Sequence, residues 1–363
     1  MCLKLLVDDG MQIELGTGIG KYSKSIYEAL DRRDDVQVDL VSWRPNSSNR
    51  TINRIEYLRH INSRQYRDLA ENYDAVLYTN YAIPFRKMPC KVVCCIPDMV
   101  SFLYPETLPA PYRLYNKFMI KNSVKNANHI LTISRSVMNE LVTEFPNQLH
   151  KISYTWLGLY EGIGKLEKFI PYSNANLASL TKRQFFLFVS TVEKRKNVGL
   201  VLEAFLEFKK RASVSNYKIV FAGKIGFGGD EYTEMARQSA FAEDIIFTGY
   251  VNDNDLNRLY NEACAFIFPT IYEGFGFAQI ECMSVSLPII LSDIPTNREI
   301  SRDYGIFFDL GDVGSLTNAL EQVANDKIDR NHLEELAKGY LPDFNWDKIA
   351  EEYVQIIVSG QNQ

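Results

Sequence analysis

The feature that most limits what this chain can fold into is a rhythm. Short apolar runs of strand length alternate with stretches of helical period, and the series occurs twice. Residues 4–7, 36–41, 75–78, 92–96 and 129–133 form the first series, and 185–189, 218–222, 245–247, 265–268, 289–291 and 305–308 the second. Runs that are apolar throughout are buried on both faces, as parallel strands are when helices cover both sides of a sheet. The pattern therefore predicts an α/β chain of two doubly wound, Rossmann-like domains facing each other across a cleft. Residues 160–184 carry no sustained apolar period and contain Gly, Pro, Ser and Asn, the composition of a linker. The expected domains are 1–165 and 166–344, with the amphipathic stretch at 345–363 packing back on the first as a C-terminal helix.

At 363 residues the chain can bury two substantial cores. No stretch approaches the roughly 20 apolar residues of a membrane span, and the start MCLKLLVDDG is too short and too soon acidic for a signal peptide. A cytoplasmic protein is expected. The six cysteines show no paired CxxC spacing and no nearby histidine, so free thiols are expected and a zinc site is not. Asp253 and Asp255 read as the cap and first turn of a helix rather than as metal ligands. The net charge of −5 conceals an asymmetry: residues 1–150 hold 19 Lys and Arg against 16 Asp and Glu, a balance of +3, and the remainder 21 against 29, a balance of −8. Basic, aromatic stretches in the first half, with Arg54, Tyr57, Tyr66, Arg67, Tyr112, Arg113, Tyr115 and Lys121 among them, suit peripheral contact with an anionic membrane, or simply a solvated helix face. No nucleic-acid partner is expected.

The chemistry concentrates at 266–288, FIFPTIYEGFGFAQIECMSVSLP. A buried strand runs through a Gly-rich turn into a helix, which aims backbone N–H groups and the positive end of a helix dipole at one point. Gly274 and Gly276 remove side chains that would block an anion there. Glu273 and Glu281 bracket the loop and suit hydroxyl groups better than phosphate, so the combination suggests a sugar nucleotide. After the strand at 185–189, Lys194, Arg195 and Lys196 stand just before a helix, where fixed cations would hold phosphate through charge-assisted hydrogen bonds. Near the N-terminus GTGIG places Gly16, Gly18 and Gly20 after the first strand. It lacks the GxGxxG spacing of a dinucleotide site, so a diphosphate-facing loop and a plain tight turn both remain open.

With these segments in order, residues 185–310 resemble the nucleotide-sugar half of the family-4 retaining glycosyltransferases, which have the two-domain GT-B fold: STVEKRKN, FAGK at 221–224, FTGYV at 247–251, then FPTIYEGFGFAQIECM with its E-x7-E pair. GTGIGKY, IPDMVSFLYPE and ILTIS extend a looser likeness through the first half. The resemblance implies that Lys196 with Arg195 neutralises a donor diphosphate, that Glu281 takes ribose hydroxyls and that Glu273 contacts the transferred sugar. It also implies that the N–H groups of Phe275, Gly276 and Phe277 hold sugar and β-phosphate, that Gly18 and Gly20 close on the diphosphate, and that Gly223, Gly249 and Tyr250 border the nucleotide. In this chain Pro97-Asp98 replaces the family's usual His-Asp. The implied activity is metal-independent, retaining transfer of a hexose from a nucleoside diphosphate sugar to a saccharide or lipid-linked saccharide in bacterial surface polysaccharide synthesis, with no cofactor beyond the donor. A catalytically weak binding subunit, a nucleotide-sugar epimerase and a nicotinamide enzyme are the alternatives.

Overall fold

The computed structural model describes residues 2–10, 18–44, 47–160, 162–168, 171–211 and 216–359. Residues 11–17, Gly16 among them, lie outside these. The chain divides into two units, Met1–Gly158 with Asp343–Gln363, and Leu159–Pro342. The first runs β1 (Leu3–Asp8), α1 (Gly18–Asp31), β2 (Val36–Val41), α2 (Arg50–Ile61), α3 (Arg64–Ala70), β3 (Ala75–Tyr78), β4 (Lys91–Ile96), α4 (Val100–Leu103), α5 (Ala110–Asn126), β5 (His129–Thr132), α6 (Arg135–Glu144) and β6 (Ile152–Tyr154). The second runs β7 (Phe185–Val189), α7 (Val198–Lys210), β8 (Lys218–Ala222), α8 (Asp230–Arg237), β9 (Ile245–Gly249), α9 (Asp253–Glu262), β10 (Ala265–Phe268), α10 (Phe277–Ser284), β11 (Ile289–Ser292), α11 (Pro295–Ser301), β12 (Gly305–Phe308), α12 (Val313–Ala324) and α13 (Arg330–Tyr340). A last helix, α14 (Trp346–Ser359), belongs to the first unit.

The first unit is one parallel sheet in the order β2-β1-β3-β4-β5-β6. β3 and β5 are buried at every position, which is why they read as unbroken apolar runs. Tyr22, Ile26, Ala29 and Leu30 make the inward stripe of α1, and Trp346, Ile349, Ala350, Tyr353, Ile356 and Ile357 that of α14. Tyr22 and Trp346 stack at 6.5 Å, and the buried hydroxyls of Tyr22 and Tyr353 satisfy each other at 2.9 Å. Two tyrosines from the basic, aromatic stretches turn inward, contrary to a surface role. Tyr66 donates to Asp8 Oδ2 at 2.5 Å and Tyr57 to Asp8 Oδ1 at 2.8 Å. Arg54 likewise lies over the rings of Tyr112 and Tyr115, at 4.5 and 5.2 Å.

Burial pushes the Asp8 carboxyl up to about 6, against hydrogen bonds from Tyr66, Tyr57 and Gly10 that pull it down. The unfolded chain ionises near 3.8. Stability from this group is therefore greatest below the lower value, falls between the two and is lost above the upper one. The displacement corresponds to roughly 3 kcal/mol. Asp8→Asn should remove that slope, so that urea unfolding followed from acid to neutral pH shows the variant gaining on wild type by up to about 3 kcal/mol. A difference that does not vary with pH would assign the titration elsewhere.

The second unit is a parallel sheet in the order β12-β11-β10-β7-β8-β9. Strand order reverses where β7 meets β10, the place at which open α/β sheets bind ligands beyond their strand ends. Phe186, Phe188, Phe205, Phe208 and Phe221 are fully buried around β7 and α7. Much of the stretch expected as a linker packs on α9. Asp255 accepts from the N–H groups of Ser173 and Asn174 at 2.9 and 3.2 Å, Tyr172 donates to Glu262 at 2.8 Å, and Leu177 is fully buried. Residues 159–165, expected with the first domain, group with the second unit, where Asn257 accepts from the Gly164 N–H at 3.1 Å. At the far end Phe344 packs on Trp156 of the first unit, ring centroids 5.6 Å apart. The cap of α9 is Asn252, one residue before the expected Asp253, and accepts from the Asp255 N–H at 2.9 Å. Cys2 is exposed, and Cys94, Cys95, Cys264 and Cys282 are buried free thiols. Among the described residues no helix is long and apolar enough to cross a membrane.

Candidate active site

Beyond β7 the chain makes a 3₁₀ turn at Lys194–Lys196, passes through Asn197 in the left-handed region (φ 52°) and enters α7. The loop after β10 is tied to this turn, since the Ile271 N–H and the Thr270 hydroxyl both donate to the Arg195 carbonyl, at 3.1 and 3.3 Å. The tie brings charges together that lie 77 positions apart in sequence. The Lys196 ammonium, on a side chain only 8% exposed, pairs with Glu273. Arg195 donates to the Tyr272 carbonyl at 3.0 Å and to Glu193 at 3.0 Å, with Glu273 at 3.5 Å.

Burial is the largest influence on Lys196 and lowers its pKa; the Glu273 charge opposes it and the Arg195 charge adds to it. Burial also pushes the Glu273 carboxyl up, but the two cations and their hydrogen bonds outweigh it, and the group titrates below the ordinary glutamate value. Glu273 is thus held as an anion between two cations at the strand-order reversal.

Gly276 adopts φ +89°, and a Cβ there would come within 2.5 Å of Gln279 Nε2 and 3.1 Å of the Phe268 ring. Glycine is required on both counts. It opens α10, whose N-terminus has no side-chain cap, the kind of helix start that suits an anion. The Thr296 hydroxyl donates to the Glu273 carbonyl at 2.8 Å. Glu281, on the buried side of α10, accepts from the Tyr260 hydroxyl at 2.8 Å.

A polar network absent from the sequence reading locks this loop. Gln279 donates to the Phe275 carbonyl at 3.1 Å and to Asn297 Oδ1 at 3.0 Å, and accepts from Ser301 at 2.6 Å. Asn297 donates to the Ser292 carbonyl at 2.9 Å, and the Ser292 hydroxyl donates to the Thr270 carbonyl at 2.6 Å. Thr270, Gln279, Ser292, Asn297 and Ser301 are wholly buried, and Phe275 is buried with them.

Gly223 and Gly249 meet at the ends of β8 and β9, the Gly223 N–H donating to the Gly249 carbonyl at 2.9 Å. A Cβ on Gly223 would lie 1.9 Å from the Ser190 carbonyl oxygen, so this glycine lets the β8 turn close on the end of β7. Tyr250 is 72% exposed, with the Lys224 ammonium 5.8 Å from its ring centroid. The second unit therefore gathers Arg195, Lys196, Glu273, Gly274, Phe275, Gly276, Phe277 and Glu281 around β7 and β10, and Gly223, Gly249 and Tyr250 one and two strands further along. Gly18 and Gly20 stand in the first turn of α1, in the first unit. Pro97 is buried after β4, and Asp98 accepts from the Val100 N–H at 3.1 Å. Among the described residues no three His, Cys, Asp or Glu side chains come together as a metal-binding set.

Residues 173–340 match the family model of glycosyl transferases group 1. The O-antigen chain mannosyltransferase B of Escherichia coli is 24% identical over 370 residues, covering 93% of this chain and 95% of that protein. Among solved structures, sucrose-phosphate synthase from Thermosynechococcus elongatus superposes with a TM-score of 0.74 at 15% identity, over 98% of each chain. The Anabaena protein HepE, solved in complex with UDP-glucose, does so with a TM-score of 0.70 at 14% identity, over 98% of this chain and 100% of that one. The two all-parallel six-stranded sheets are those of the GT-B fold.

Proposed function

We propose, from the match of residues 173–340 to the family model of the group 1 glycosyltransferases, that this chain moves a hexose from a nucleoside diphosphate sugar to a hydroxyl of a saccharide or lipid-linked saccharide. The transfer proceeds with retention and without a metal, in the synthesis of a bacterial surface polysaccharide. The observation that carries the reading is the pairing of Lys196 and Arg195, in the turn before α7, with Glu273 in the loop before α10.

Breaking the bond between the anomeric carbon and the diphosphate oxygen leaves positive charge on the sugar and negative charge on the departing group. Fixed cations aimed at that group lower the barrier. Lys196 and Arg195 supply them, joined by the N-terminus of α10, and this is the work a divalent cation would otherwise do. Glu273 pairs with both cations in this structure. On donor binding the diphosphate takes over that pairing and the Glu273 carboxylate turns to sugar hydroxyls, while Glu281 accepts from the ribose. The acceptor oxygen attacks on the face that the diphosphate leaves, and its proton passes to the departing phosphate oxygen. The first unit holds the acceptor, and a lipid-linked acceptor brings the enzyme to a membrane surface. A relative named as an O-antigen mannosyltransferase and a neighbour solved with UDP-glucose support this donor class.

The test is a thermal-shift panel of UDP, GDP, ADP and dTDP sugars, followed by transfer assays with and without EDTA. One donor at about a hundredfold its Kd should add roughly 2.7 kcal/mol of stability, and turnover should persist in EDTA. Silence across the panel overturns the reading. Loss of turnover in EDTA overturns its metal-free part, and donor conversion without an acceptor would make the protein an epimerase.

A further inference from the structure

α5 carries four basic residues, Arg113, Lys117, Lys121 and Lys125, and no acidic one. Helical spacing puts Leu114, Phe118, Lys121 and Lys125 on one stripe. That stripe points outward: Leu114 is 64% and Phe118 59% exposed, and both lysines are exposed, while Met119, Ile120 and Val124 face the core. The turn after β3 extends the face. Phe85, 42% exposed, lies 5.8 Å from Phe118 by ring centroids and is followed by the exposed Arg86 and Lys87. Asn122 fastens this turn to α5 by donating to the Ile83 carbonyl at 3.2 Å. Beside it a groove of about 400 Å³ is lined by Arg64 and Arg67 of α3 and by Arg86 and Lys87, against Asp68 and Glu71.

We propose that this face of the first unit docks on an anionic phospholipid bilayer, deepening the lipid-linked acceptor reading above and resting on it only for its purpose. Large apolar side chains held in water beside an excess of cations match the interfacial layer of a membrane. Leu114, Phe118 and Phe85 enter the boundary between headgroups and acyl chains. Lys121, Lys125, Arg86 and Lys87 meet headgroup phosphates, and the groove seats one headgroup. A second copy of the chain fits worse, because a two-fold contact would set the basic face of α5 against itself. None of these side chains belongs to the donor site, so membrane binding and sugar transfer are separable.

Flotation of the full chain with phosphatidylcholine vesicles, and with vesicles that also contain phosphatidylglycerol, tests the proposal. Wild type should bind the anionic vesicles, lose them in high salt and bind the neutral ones at least tenfold less. Arg86→Gln with Lys87→Gln should weaken binding about fivefold for each cation removed. Leu114→Ser with Phe118→Ser should weaken it further, with melting temperature and transfer to a water-soluble acceptor unchanged in both variants. Equal binding by wild type and variants, or no binding to anionic vesicles, overturns the proposal. A wild-type dimer that Phe118→Ser dissociates would identify the face as a contact between copies and also overturn it. Soluble transfer in the same preparations reports on the enzymatic reading separately.

Discussion

Lys196→Ala should lower turnover of the correct donor by a factor of about 10² to 10³, the usual effect of removing one preorganised group that stabilises charge in a transition state. The expectation rests on burial. Lys196 is held by the closed turn before α7 and faces Glu273 from a site that water scarcely reaches, so no solvent cation can replace it cheaply. The variant has a second consequence that must be separated from the first, because Glu273 keeps only the 3.5 Å contact to Arg195 and becomes a poorly balanced buried charge. Adding Glu273→Gln to Lys196→Ala removes that imbalance. Because Glu273 itself is read as touching the sugar, Glu273→Gln alone is the reference: if the loss came only from the stranded carboxylate, the double variant would turn over as fast as that single variant. The diphosphate role predicts recovered thermal stability without recovered turnover, with kcat falling more than KM rises. Turnover within a few-fold of wild type in Lys196→Ala would sink the assignment.

The sequence made the sheets legible for a physical reason: strands buried on both faces leave continuous apolar runs, and β3, β4, β7, β8 and β10 are of that kind. β6 was missed because three residues at a sheet edge show no run at all. The packing of residues 172–174 on α9 was equally invisible, since polar side chains bonded to backbone leave no apolar period. The misread tyrosines teach the converse. Tyr57 and Tyr66 look like surface aromatics among arginines, yet both serve the buried Asp8 at the end of β1. At the site, single residues were readable where local chain geometry demands them, as with Gly276 or a lysine at a strand end. Pairings were not, because nothing in the order of residues says that the turn at Lys196 will be bonded to the loop at Thr270.

Gln279→Leu is the sharpest test of such an unread pairing, and it should cost the second unit about 3 kcal/mol or more. A leucine fills similar space but leaves Asn297 Oδ1 and the Ser301 hydroxyl each short of the Gln279 partner among wholly buried side chains. A buried polar group left unpaired costs about 1–3 kcal/mol. For a unit of this size the melting temperature should fall by roughly 10 °C. Stability alone would not show that the network serves the site, so the decisive reading is donor affinity well below both melting points. Gln279 is bonded to the carbonyl of Phe275 and crowds the only space a side chain on Gly276 would occupy, so the loop that meets the diphosphate should lose its fixed shape and the donor Kd should rise at least tenfold. A lowered melting temperature with an unchanged Kd would mean that Gln279 holds only the core beneath α10 and α11, and that the loop keeps its form through Thr296 and the tie to Arg195.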